Sequence, residues 1–130
     1  MKSHDKIHLK TLLKIANNIQ HDSLNYRHAA LLGVKHKIIS LGVNKEKTHP
    51  LQKEYKHSSH CNWTHAEVDC LSNTVIPDKS TLYVIRLNSK NTYAESKPCI
   101  GCMELIHHKG IKRVVYSSSN SFEEIYLENV

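Results

Sequence analysis

Two short segments, His65-Ala66-Glu67 and Pro98-Cys99-Ile100-Gly101-Cys102, supply one imidazole, two thiols and a carboxylate. Zinc held by three protein ligands of nitrogen and sulfur type keeps its fourth tetrahedral position for water, whereas a structural zinc is closed by four. The pattern therefore predicts a catalytic zinc site rather than a structural knot. Two thiolates feed charge onto the metal and leave it a weaker acid than a site of three histidines, so a neighbouring base is useful. Glu67 is placed for that work: it can take a proton from water, deliver it to a ring nitrogen and then protonate a leaving amine. Ammonia would be the product.

The elements that must position these groups are legible from periodicity. Leu9, Leu12, Leu13, Ala16 and Ile19 recur at helical spacing and predict an amphipathic helix from Ile7 to Ile19. Arg27–Val34 and Lys37–Val43 are apolar runs that read as paired strands, closed by Asn44. Residues 45–62 are polar, contain Pro50 and read as one long loop. Thr64 to about Asn73 reads as a helix opened by the capping-box pattern Thr64-His65-Ala66-Glu67. Thr81–Leu87 is a strand. Residues 88–97 are a second polar loop. Pro98 suits a first helical position and Gly110 a C-terminal stop, so the next helix runs over about 98–109. Ile111–Tyr116 and Glu124–Leu127 are strands joined by Ser117–Ser121, too short for a crossover, which makes them antiparallel. His65 and Glu67, two apart, share no helix face, but both can reach an ion lying off a helix end. Cys99 and Cys102, three apart, do share a face, and Cys99 lies where the helix dipole favours a thiolate.

His-x-Glu followed by Pro-Cys-x-x-Cys resembles the zinc-dependent cytidine and deoxycytidylate deaminases and their relatives that act on tRNA or DNA bases. The order of elements is similar over nearly the whole chain. The resemblance implies a three-layer α/β/α fold on a mixed five-stranded sheet, with zinc as the cofactor, His65, Cys99 and Cys102 as its ligands, and Glu67 as the proton shuttle. It also implies that Asn44 contacts the sugar, that the Ala66 N–H faces the pyrimidine carbonyl oxygen, and that the Lys97 carbonyl, just before Pro98, faces the exocyclic amine. The implied reaction converts cytosine to uracil in a small nucleotide or nucleoside, dCMP or (deoxy)cytidine. A base in single-stranded nucleic acid or tRNA is the second reading, and an inactive zinc-fold nucleotide-binding protein the third. A homo-oligomer is implied as well. The 45–62 segment is longer than in the smallest family members, and an antiparallel ending resembles the free-nucleoside branch.

At 130 residues, 39% hydrophobic and 23% charged, the chain suits one domain over 1–130. No apolar run approaches the roughly 20 residues needed to span a bilayer, and Met1 to Lys10 has no apolar leader core, so the expected location is the cytoplasm with no membrane partner. Four cysteines without a leader favour reduced thiols and metal binding, leaving Cys61 and Cys70 as spares. A formal charge of +6 favours an anionic substrate. Eight aromatic residues and no basic stripe interleaved with them weigh against a polymer. His49, His57, His60 and Cys61 form a candidate second zinc cluster, against the simpler reading of exposed loop histidines. Lys45, Lys47, Lys53 and Lys56 are candidate phosphate partners, but Glu46 and Glu54 interleave with them and favour a solvated loop. Trp63 and Tyr93 flank the motifs and could stack on a base, against core or hinge packing for Trp63. Leu105, Ile106, Val114 and Val115 read as core, and Cys70 as a buried thiol.

Overall fold

The structure, a computed structural model, describes residues 1–19, 27–45, 50–55 and 64–127. Its elements are α1 (Ser3–Asn17), β1 (Arg27–Val34), β2 (Lys37–Val43), α2 (Pro50–Glu54), α3 (Ala66–Leu71), β3 (Thr81–Leu87), α4 (Ile100–His108), β4 (Arg113–Ser117) and β5 (Phe122–Tyr126). The strands form one sheet in the order β2-β1-β3-β4-β5. β1 pairs antiparallel with β2 and β3, β3 pairs parallel with β4, and β4 pairs antiparallel with β5. The expected mixed sheet and antiparallel ending are both present.

Alternation along the strands sends side chains to two cores. On one face Ala30, Leu32, Leu82, Val84 and Val114 meet the α3 and α4 residues Val68, Leu71, Leu105 and Ile106. On the other, Ala29, Leu31, Tyr83, Ile85 and Val115 meet Leu9, Leu12 and Ala16 of α1. This is the three-layer α/β/α arrangement. Among the described residues no helix is long and apolar enough to cross a membrane.

Three local expectations are corrected. α1 starts at Ser3 rather than Ile7, because Asp5 reaches back to accept the Lys2 N–H at 2.9 Å and caps the helix from its third position. The 45–62 segment is not wholly loop: Pro50 opens the five-residue α2. α4 starts at Ile100, with Cys99 as N-cap, so Pro98 lies before the helix. The stop at Gly110 holds. Its φ is +80°, its N–H donates to the His107 carbonyl at 3.0 Å, and the Ile111 N–H reaches the Ile106 carbonyl at 3.2 Å. These are the two bonds of a Schellman ending, which needs a left-handed residue at that place.

α3 is short and almost wholly buried, so its position is fixed by docking on β2. Gly42 makes this possible: a Cβ there would lie 2.3 Å from the Cys70 nitrogen and 2.5 Å from the Ala66 oxygen. Around that contact the Ser40 hydroxyl donates to the Cys70 carbonyl at 2.8 Å, and Asp69 accepts the Val43 N–H at 3.0 Å. α4 is aimed by a pair of buried serines where the paired ends of β3 and β4 give out. The Ser96 N–H donates to the Ser117 carbonyl at 2.8 Å and its hydroxyl to the Val84 carbonyl at 2.9 Å, while the Arg86 N–H donates to the Ser117 hydroxyl at 3.1 Å. The chain entering α4 is thereby stitched to both strands.

Candidate metal centre

Both sequence motifs arrive at helix N-termini, and the first residue of each ligand set is an N-cap: His65 for α3 and Cys99 for α4. The capping box expected from Thr64 does not form. Thr64 is held instead in a two-bond antiparallel bridge to Lys45, its N–H donating at 3.0 Å and its carbonyl accepting at 2.9 Å. The helix therefore starts one residue later, and Glu67 sits at its second position rather than the third that a capping box requires.

The side chains converge. One donor atom each from His65, Cys99 and Cys102 lies within 4.8 Å of the others. His65 Nδ1 is 3.3 Å from the Cys102 sulfur and 3.6 Å from the Cys99 sulfur. Zinc–nitrogen and zinc–sulfur bonds of about 2.0 and 2.3 Å at a tetrahedral angle put N and S roughly 3.6 Å apart, so the donor set fits that ion. The Cys102 backbone N–H also points at the Cys99 sulfur, 3.5 Å away.

Electrostatics matches the geometry. A hydrogen bond from the Cys102 side chain, opposed by burial and aided by His65, holds the Cys99 thiol down to about 3, so it is a thiolate at neutral pH. The His65 pKa is raised, chiefly by its hydrogen bond with Cys99. Glu67 is 4% exposed, and burial pushes its pKa up, against a hydrogen bond from its own backbone N–H, attraction from His65 and a hydrogen bond with the Cys102 side chain. Its Oε1 has no hydrogen-bond partner among the described residues. A buried carboxylate with a raised pKa and one uncommitted oxygen beside a metal-ligand-like cluster marks a candidate functional site.

The other predicted residues fall around this centre unevenly. Asn44 follows β2 and clasps β1: its side-chain oxygen accepts the His28 N–H at 3.0 Å, and its own N–H reaches the His28 carbonyl at 3.3 Å. Ala66 is buried at the first turn of α3, and Lys97 is exposed ahead of the buried Pro98. Lys45 pairs with Asp69 at 2.8 Å. Tyr93 packs edge-on against Phe122, with ring centres 5.2 Å apart, at the margin of the α1-side core. Cys70 is buried, with its thiol pushed up to about 11 by burial, as expected of an inert thiol. Leu105, Ile106, Val114 and Val115 are all core. His49, Lys47, Lys56, His57, His60, Cys61 and Trp63 lie outside the described residues.

Two residues near the centre escape sequence reasoning. His28 is paired across the sheet with Arg86 on the face that carries α3 and α4. Burial, then the charges of Arg86 and His65, lower its pKa to about 4, so it is neutral at pH 7. Two-residue alternation from Ala30 would have put it on that face. Gln52 of α2 is fully buried, and its side-chain oxygen accepts the His65 backbone N–H at 2.8 Å. The available signal was Pro50 as a helix opener.

No curated protein sequence matches this chain at a significant level. Among solved structures, the dCMP deaminase of cyanophage S-TIM5 in apo form superposes with a TM-score of 0.60 at 20% identity, over 92% of this chain and 87% of that one. Cytidine deaminase from Burkholderia pseudomallei superposes with a TM-score of 0.63 at 17% identity, over 97% and 93%. The phage enzyme in complex with dCMP and dUMP gives 0.55 at 21%, over 89% and 82%. These likenesses establish the fold. Residues 2–118 match the model of the cytidine and deoxycytidylate deaminase zinc-binding region, and the chain belongs to that family.

Proposed function

We propose that this protein is a zinc-dependent hydrolytic deaminase that converts cytosine to uracil in a small nucleotide or nucleoside, dCMP or (deoxy)cytidine, with release of ammonia. The observation that carries the reading is the buried Glu67, with an uncommitted oxygen, beside a His65–Cys99–Cys102 donor set of zinc-like spacing. Those three residues would hold the ion through Nδ1 and two sulfurs. When bound there, zinc supplies Lewis acidity that makes hydroxide available near neutral pH.

The remaining work belongs to the chain. Glu67 takes a proton from the attacking water and passes it to the ring nitrogen, then takes the second proton from the hydroxyl now on the carbon and delivers it to the amine as the C–N bond breaks, so that water and cytosine give uracil and ammonia. Burial that raises the Glu67 pKa brings it nearer the pH at which a carboxyl both takes and gives protons well. The Ala66 N–H binds the pyrimidine carbonyl oxygen, the Lys97 carbonyl orients the exocyclic amine, and Asn44 meets the sugar from the end of β2. A phosphate-bearing substrate is supported by the +6 formal charge. A homo-oligomer in the cytoplasm belongs to the same reading.

The test is a substrate panel: dCMP, dCTP, cytidine, deoxycytidine and a cytosine-containing single strand, followed by loss of cytosine absorbance. Turnover of a mononucleotide or nucleoside, with only a shallow dependence on salt, is the expected result. Turnover of the strand alone, with affinity falling steeply as salt rises, would transfer the activity to polynucleotides. No turnover on any of them would leave a binding protein.

A further inference from the structure

We propose that α2, the short helix between β2 and α3, is a clamp on the metal centre and that Gln52 is its positioning residue. This rests on the reading of His65 as a metal ligand. The N–H of a helix N-cap is normally satisfied by the side chain three residues on, as in a capping box. Because α3 starts after His65, that position is Val68, which has no acceptor, and Glu67 is one residue out of register. Gln52 supplies the missing acceptor from another element, at 2.8 Å, with its side chain fully buried. Its amide group is in turn oriented by donation to the Tyr55 carbonyl at 3.5 Å.

Tyr55, the residue just past α2, reaches the helix that carries both thiols as well. The Tyr55 hydroxyl lies 2.7 Å from His108 Nδ1 in the last turn of α4, and the two rings stack edge-on at 5.6 Å. Leu51 and Tyr55 pack against the same core as α3 and α4. The stretch 50–55, α2 with the residue that follows it, thus bridges the N-cap that presents the imidazole and the far end of the helix that presents both thiols. Removing a hydrogen bond that orients a metal ligand typically weakens metal binding about 10–100-fold.

The experiment compares Gln52→Met, which keeps volume and removes the acceptor, with Gln52→Glu, which keeps an acceptor. Zinc affinity is read by chelator competition, and the ligand geometry by the visible spectrum of the cobalt(II)-substituted protein. Gln52→Met is expected to weaken zinc by about 10–100-fold and shift the cobalt bands, with Gln52→Glu recovering most of the affinity. Tyr55→Phe, at a hydroxyl outside the core, is expected to move affinity the same way by about threefold and keeps the test open if Gln52→Met does not fold. Wild-type affinity and spectrum in both Gln52→Met and Tyr55→Phe would overturn the clamp while leaving the deaminase reading intact. A wild-type affinity unchanged by His65→Ala would overturn the assignment of His65, and the clamp with it.

Discussion

Two buried carboxylates, one on each face of the sheet, have opposite fates. Asp5 of α1 is 0% exposed and fully engaged: Arg113 donates to both its oxygens at 2.9 and 2.8 Å, and the Tyr83 hydroxyl and Lys2 N–H complete the shell. Burial alone would raise its pKa, but these donors, Arg113 first, carry it well below the usual carboxylate range. Glu67 on the opposite face is as deeply buried, has an oxygen without a partner, and its pKa is raised. The same sheet therefore carries one acid locked into its charged form and one whose pKa burial raises. Completeness of the hydrogen-bond shell, not burial, separates the two acids.

The contrast is sharpest in substitution. Glu67→Gln keeps the volume and removes the proton carrier, so kcat is expected to fall by about 10²–10⁴-fold while zinc content and melting temperature stay near wild type. Steady-state kinetics with metal analysis checks this; retained activity would remove Glu67 from the chemistry. Asp5→Ala should do the reverse. It leaves the half-buried Arg113 with Glu124, 3.2 Å away, as its acidic partner among the described residues, and should cost about 2–3 kcal/mol in urea unfolding with little change in kcat for the folded fraction. Because the Asp5 pKa is depressed in the folded state, its contribution is complete above the unfolded value of about 3.9 and is lost as pH falls further. The stability gap between wild type and Asp5→Ala should therefore narrow below about pH 4.

What the sequence made legible follows from how local each signal is. The two segments of the candidate metal centre, the strand runs and the Gly110 stop depend on near neighbours, and their placement was readable. The α4 start was misplaced because proline at a first helical position is only a preference: the rule holds at Pro50, where no helix was expected, and fails at Pro98. The Thr64 capping box was a sound local inference that lost to a long-range bridge with Lys45. Gln52 was invisible for the same reason, since its importance lies in a hydrogen bond to a residue 13 positions away. His28 was half legible, because strand alternation gives its face but not the neighbours it meets there. Chemistry carried by residue type survived translation to sequence, whereas positioning carried by tertiary contacts did not.

Two glycines, one behind each ligand helix, extend the comparison to smaller effects. At Gly42 an added Cβ would press on backbone atoms of α3, which cannot swing aside as a side chain would. Gly42→Ala is expected to cost about 2 kcal/mol and also to weaken zinc, because the displaced helix carries the His65 N-cap. At Gly110 nothing lies within 4 Å of the added Cβ, so the cost is only that of the left-handed backbone, about 1 kcal/mol. That loss falls at the end of α4 remote from Cys99, and zinc affinity by chelator competition should stay at the wild-type value. If Gly110→Ala loosened the metal as much as Gly42→Ala, strain would be travelling the length of α4, and the thiols would owe their placement to the helix's far end rather than to the serine-stitched segment that enters it.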